Sequence, residues 1–168
     1  MQIIMTGPRA AVRVHHEVAY DFDEDKGIWL RRVEDEDEVV HNLILDAGRV
    51  QLHSQCYATS GILTNGFNYI ALTNDGTAPA AGDTTLTGEI ATAEGLDRAQ
   101  GTVTLPTGSG NQTTIEKVFT YTGSSQAVQK SALFTAASAG VMAHEVQFAS
   151  RSLATNDQLT VTYTITLG

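Results

Sequence analysis

Carboxylates, imidazoles and hydroxyls are the groups through which this 168-residue chain could do chemistry, and their spacing decides what that chemistry would be. In "DFDEDKG", Asp21, Asp23 and Asp25 stand at the first, third and fifth positions of a calcium-loop pattern. Lys26 then falls at the sixth position, where glycine permits the sharp turn, and Arg32 at the twelfth, where a bidentate glutamate is needed. The stretch therefore reads as a solvated turn. His53 and Cys56 are spaced to share a metal, but a structural zinc site takes four ligands and Cys56 is the only cysteine. The same lone cysteine excludes an intrachain disulfide. His15 and His16 are adjacent in a strand-like run, which sends them to opposite faces. Serine, histidine and aspartate are plentiful, yet no Gly-x-Ser-x-Gly elbow occurs, and the glycines of "TGSGN" (107–111) come without the lysine of a phosphate loop. These patterns assign no catalytic residue, metal or cofactor, and a non-enzymatic protein is expected.

Acidic residues remain. "EDEDE", residues 34–38, places Asp35, Glu36, Asp37 and Glu38 on what reads as an exposed face, able to meet an arginine patch on a partner. The formal net charge of −9, from 19 acidic and 10 basic residues, argues against nucleic acid or an anionic membrane as the main partner. No apolar run reaches the roughly 18 residues of a spanning helix, and "MQIIMTGPRAAVRV" lacks the basic start and long apolar core of a signal peptide. A soluble chain is the expectation.

The elements that must position these groups divide near residue 41. Before it, "AAVRVHHEVAYDF" and "GIWLRRV" alternate around the polar turn "DEDKG", the pattern of a β-hairpin. A lone hairpin is marginal in water, so residues 1–41 read as an arm that lies on the main domain or on another subunit. Asn42 or Asp46 can cap a short helix over about 46–57, with Gly48 inside it marking a close packing contact. From Phe67 onward the chain reads as strands: "FNYIALT", "AQGTVTLP", "TTIEKVFTYT", "VMAHEVQFA" and "QLTVTYTITLG" are rich in Val, Ile, Thr and aromatics and are bounded by turn residues. In the last, Leu159, Val161, Tyr163, Ile165 and Leu167 alternate with four threonines, giving one buried and one hydroxyl-rich face. "SSQAVQKSALFTAASAG" reads as a strand ending in a small-residue turn, or as a short helix. The expected fold is mainly β: an antiparallel β-sandwich or jelly roll over 42–168, with one short helix and an N-terminal hairpin arm over 1–41.

Four stretches carry a resemblance: "NLILDAGRVQL", "YIALTNDGTAPAAGDTTLTGEI", "KSALFTAASAGVMAHEVQF" and "QLTVTYTITLG". Together they make residues 42–168, about three quarters of the chain, resemble small structural proteins of tailed bacteriophages and related tailed viruses, attached to capsids as decoration or head-fibre proteins or to tails. The most specific piece is a strand and turn leading into Thr77, Ala78, Pro79, then Asp83, Thr84, Leu86 and Glu89. Two departures stand out: the arginine that often follows that glutamate closely is delayed to Arg98, and Ala132 stands where a glycine precedes the Leu-Phe pair. The resemblance implies a virion-surface protein that assembles with itself, as a trimer or ring, and with a major capsid or tail protein. It implies that Asp83 and Glu89 hold a long loop or meet a neighbouring subunit. Within the same class a tail or tail-fibre component is the second expectation. From another class comes a carbohydrate-binding module, in which Trp29 and Tyr20 would form a stacking platform; the plainer role for Trp29 is an apolar anchor of the hairpin.

Overall fold

The computed structural model describes residues 9–23, 26, 28–33, 38–41, 43–45, 47–48, 66–91, 94–105 and 112–166. Among these the chain is mainly β, in two antiparallel sheets. The first sheet holds β1 (Arg9–Asp23), β2 (Ile28–Val33), β3 (Glu38–His41), β7 (Thr102–Thr104), β8 (Gln112–Thr120) and β11 (Gln158–Thr166), in the order β2-β1-β11-β8-β7 with β3 also paired to β1. The second holds β4 (Leu43–Ile44), β5 (Tyr69–Thr73), β6 (Ala99–Gln100), β9 (Ser125–Phe134) and β10 (Met142–Ala154), in the order β4-β10-β9-β5-β6.

The alternation in "QLTVTYTIT" has its expected effect: Leu159, Val161 and Tyr163 are fully buried, while Thr160, Thr162 and Thr164 are partly exposed. Ile115 and Phe119 of β8 lie opposite Tyr163 and Leu159 in the register. These side chains share one core with Ile70, Leu72, Val128, Leu133, Val146, Phe148 and Leu153 of the second sheet. Full burial of each large apolar side chain contributes about 1.5–3 kcal/mol, so this shared core is the main apolar term tying the sheets together.

The hairpin expected at the N-terminus is present, with β1 and β2 antiparallel from Glu17↔Val33 to Asp23↔Ile28 and an irregularity between Ala19 and Asp21. β1 is also a full member of the first sheet, running beside β11 through nine registered pairs from Arg9↔Thr166 to Glu17↔Gln158. Asp157 secures the corner: its Oδ1 accepts the Ala19 N–H at 3.0 Å and its Oδ2 the Ala154 N–H at 2.8 Å, next to Asn156 in the left-handed region (φ 72°).

Two sequence readings change in detail. "AQGTVTLP", read as one strand, is two: β6 pairs with β5 in the second sheet and β7 with β8 in the first. The crossing falls at Gly101, where a Cβ would come within 2.7 Å of Ile115 Cγ2, so only glycine passes there without a shift. In the expected helix, Ala47 and Gly48 are helical, and residues 49–57 lie outside the described residues. A Cβ on Gly48 would sit 2.6 Å from the Ala143 carbonyl oxygen, the close contact that a glycine inside a helix implied.

Candidate functional site

Residues 74–91 run across the second sheet on the side away from the shared core, and their path follows from short polar side chains. The Thr73 hydroxyl, at the end of β5, donates between the carbonyl oxygens of Thr87 (2.8 Å) and Gly88 (2.9 Å) and accepts the Asp75 N–H at 3.0 Å. Asp75 Oδ1 takes the Thr77 hydroxyl at 2.9 Å and the Thr77 N–H at 3.4 Å, a turn of the Asx type. Asp83 closes the next turn: its Oδ2 accepts the Ala80 N–H at 2.8 Å and its own N–H reaches the Ala80 carbonyl at 3.0 Å. Leu86 then drops into a second apolar cluster with Leu45, Ala71, Ala132, Phe134 and Met142, and the chain returns to the sheet through Ile90 N–H to Leu72 O at 2.8 Å.

Glu89 is not used on backbone donors. Its carboxylate is gripped by both ends of the Arg98 guanidinium, with Nε donating to Oε1 at 2.8 Å and Nη2 to Oε2. The same guanidinium lies 3.5 Å from the centre of the Phe134 ring, and its Nη1 donates to the Ala139 carbonyl at 2.7 Å and the Ala136 carbonyl at 3.2 Å. Arg98 thus joins three segments. The delayed arginine of the sequence is the one that meets Glu89, folded back by the turn at Gly95 (φ 85°).

Beneath the loop lies a charge cluster that the motif reading did not single out. Lys130 and Glu145 are each 2% exposed, on the neighbouring strands β9 and β10. Lys130 is registered opposite Gln147, so Glu145 is its diagonal neighbour on the same face. Lys130 Nζ lies 3.1 Å from Glu145 Oε1 and 2.8 Å from Asp75 Oδ2. Burial alone would depress the Lys130 ammonium, but its bonds to Asp75 and Glu145 outweigh that and hold it above its ordinary value. Asp75 is lowered, first by the Lys130 bond and then by Thr77. Glu145 is raised, chiefly by burial, with the neighbouring Asp83 carboxyl adding to the shift and Lys130 opposing it.

One residue away, the chemistry reverses. His144 is buried against Tyr163, ring centres 6.4 Å apart, and loss of water pushes its pKa down to about 4. The Tyr163 hydroxyl donates to Ser131 Oγ at 3.1 Å, and burial keeps the phenol protonated far above its ordinary range.

At the far end of the β1–β2 hairpin, large apolar side chains face solvent. Phe22 is 43% exposed, Ile28 50% and Trp29 40%. The Phe22 and Trp29 rings touch with centres 5.3 Å apart and planes tilted by 57°, so the two rings do not make one flat platform. Asp23 holds the turn by accepting from the Lys26 N–H at 3.1 Å and its ammonium at 2.8 Å, which uses a carboxylate of the calcium-like pattern. Among the described residues, no group of three or more His, Cys, Asp or Glu is arranged to hold a metal ion.

Of the residues singled out from sequence, Trp29 is at the tip of a hairpin of the first sheet, and Asp83 and Glu89 are in the loop over the second sheet. Glu38 begins β3, its side chain outside the described residues together with Asp35, Glu36, Asp37, His53 and Cys56. Arg98, Lys130, Glu145 and Phe22 were missed. Lys130 and Glu145 did leave a trace, each being a single charge inside an apolar strand run. No protein-family model matches the chain, and no curated protein matches it significantly.

Proposed function

We propose that the chain is a non-enzymatic structural protein of a tailed virus, a capsid decoration, vertex or head-fibre protein that folds as a β-sandwich and acts by assembling with itself and with the major capsid protein. The carrying observation is the hairpin tip. Phe22, Ile28 and Trp29 expose an apolar patch at the end of a strand pair rooted in the first sheet by the nine-pair β1–β11 ladder. Exposed aromatic anchors on a rigid support are what a protein interface uses for most of its binding energy. The acidic stretch with Asp35, Glu36, Asp37 and Glu38 adds attraction to a basic rim, screened by salt over about 8 Å. The resemblance of residues 42–168 to virion proteins supplies the partner class. The alternating, hydroxyl-rich β11 and the core shared by two sheets support the sandwich reading.

The reading is tested by incubating the protein with emptied particles and imaging them with an antibody to the chain. Coated capsids are expected, and replacing Trp29 and Phe22 together by alanine should weaken coating at least tenfold while leaving the melting temperature within a few degrees. Label on tails alone would move the assignment to a tail component. Label on host cells without particles would replace it with a glycan-binding module stacking sugars on Trp29 and Tyr20, of which the Tyr20 side chain lies outside the described residues.

A further inference from the structure

The ion pairs of Lys130 bring together the three groups of an amide-forming reaction. Lys130 Nζ lies 2.8 Å from Asp75 Oδ2, beside the carboxyl carbon an amine would attack, and 3.1 Å from Glu145 Oε1. The Lys130, Asp75 and Glu145 side chains are 3%, 22% and 2% exposed, so little water reaches the contact. Glu145 Oε2 is buried and has no hydrogen-bond partner among the described residues. A buried ion pair that served stability alone would satisfy that oxygen as well. Left bare, it makes the carboxylate a stronger proton acceptor.

We propose that Lys130 Nζ and the Asp75 carboxyl condense into an intramolecular amide, with Glu145 as the catalytic proton carrier.

The sheet explains the placement. Lys130 on β9 is registered opposite Thr73 of β5 on one side and Gln147 of β10 on the other, so the chain leaving β5 carries Asp75 to the ammonium while Glu145 approaches from β10. Asp75 is pinned from both sides. The side-chain amides of Gln129 and Gln147 donate to the Asn74 and Gly76 carbonyls, and the Thr73 hydroxyl accepts the Asp75 N–H at 3.0 Å. Reactants held in contact in this way meet at an effective concentration that no solution reaches. The two carboxyls differ in environment. Asp75 Oδ1 accepts the Thr77 hydroxyl at 2.9 Å and the Thr77 N–H at 3.4 Å, donors placed for the negative charge that grows on this oxygen when the carbon is attacked. Burial raises Glu145, whereas Lys130 and Thr77 lower Asp75. Asp75 is therefore the electrophile and Glu145 the base.

The step balances without a co-reactant. One ammonium proton passes along the 2.8 Å contact to Asp75 Oδ2, leaving a neutral amine and a neutral carboxyl. The pair as it stands, with Lys130 held protonated, is the state before this transfer. The amine lone pair then attacks Cγ, and Oδ1 takes up the carbonyl electron pair. Glu145 removes a second proton from the nitrogen and returns it to Oδ2, the Cγ–Oδ2 bond breaks, and water leaves. The third proton stays on the amide nitrogen. Glu145 ends as it began, after a single event within one chain, so the protein is modified without becoming an enzyme. The product ties the loop to β9 and closes residues 75–130 into a ring, which restricts the unfolded chain as any cross-link does.

Mass spectrometry of the purified full chain under denaturing conditions reads the bond directly. The mass should lie one water below that of the sequence, and trypsin should release residues 50–98 and 118–151 as one branched peptide, uncut at Lys130. Asp75→Ala and Glu145→Gln should each restore the full mass and the separate peptides. Asp75 is partly exposed in the loop, so Asp75→Ala decides the matter if Glu145→Gln does not fold. Full mass and linear peptides in the unmodified protein would reduce the site to a buried ion pair. A branched peptide surviving in Asp75→Ala would overturn the junction, and one formed equally in Glu145→Gln would overturn the part given to Glu145.

Discussion

The outer faces of the two sheets have the same strand geometry and opposite fates. On the first sheet, Thr160, Thr162 and Thr164 of β11 alternate with core residues and stay partly exposed, with Glu116 and Val118 of β8 exposed beside them. Polar contacts there are marginal, such as the Thr162 hydroxyl donating to Glu116 at 3.0 Å in solvent. On the second sheet the loop has covered the face, burying Leu86 with Ala71, Ala132 and Phe134 and enclosing Lys130 and Glu145. A sheet face left in water can carry almost any hydroxyl at little cost. A covered face commits each polar group to a partner.

That contrast can be broken most severely through the first sheet. Deleting residues 1–41 removes β1, β2 and β3 and turns β11 into an edge, without touching a strand of the second sheet. The truncated chain is expected to retain cooperative, β-rich unfolding with a melting temperature lower by on the order of 10 °C, and to associate through the freed edge. An unchanged melting temperature by circular dichroism would make residues 1–41 an energetically separate arm; loss of cooperativity would make the two parts one unit.

Next in size is Lys130→Met, which leaves Glu145 and Asp75 without their cation in a buried site. A loss of about 3–5 kcal/mol is expected from denaturant titration, whereas Thr162→Ala on the open face should stay within about 0.5 kcal/mol. Equal costs would erase the distinction between the faces.

His144 sharpens the comparison by pH. Its folded pKa of about 4 lies below the unfolded 6.5, so neutral histidine favours the fold at and above pH 6.5. Stability is lost as pH falls from there towards 4, on the order of 3 kcal/mol for this residue. His144→Gln should flatten that acid limb in a series of unfolding curves. An acid limb of unchanged depth would place the titration elsewhere.

The smallest effect belongs to Arg98→Lys. An ammonium keeps the charge for Glu89 but cannot span both carboxylate oxygens, the Phe134 ring and two carbonyls at once. A loss of about 1–2 kcal/mol is expected, with faster amide exchange at Val141, whose N–H is bonded to Thr135. Unaltered exchange there would show that the 135–141 turn stands without the guanidinium.

What the sequence disclosed follows the same division between open and covered faces. β11 and the β1–β2 hairpin were legible because one face of each pattern is polar, and "SSQAVQKSALFTAASAG" was legible as a strand because its small-residue tail reads as the turn that β9 enters after Phe134. β10 was recognisable as a strand but not as a two-faced one: Met142 to Glu145 are all buried, so no alternation remains to tell the core side from the loop side. Lys130 and Glu145 therefore could not be separated from surface charges by pattern. Arg98 was noticed only as displaced, since its partner Glu89 is set by a turn in three dimensions and not by spacing. The switch at Gly101 was hidden because a glycine inside a strand-like run signals a bulge or a close approach as readily as a change of sheet.

The long β1–β11 ladder has a mechanical consequence. Antiparallel hydrogen bonds lie across the strands, so tension applied along β1 strains all nine registered pairs together in shear instead of peeling them apart one by one. A tug entering at Phe22 and Trp29 travels down β1 into the middle of the sheet. By contrast, β4 meets β10 through only two pairs, His144↔Ile44 and Glu145↔Leu43, and would part first under the same pull.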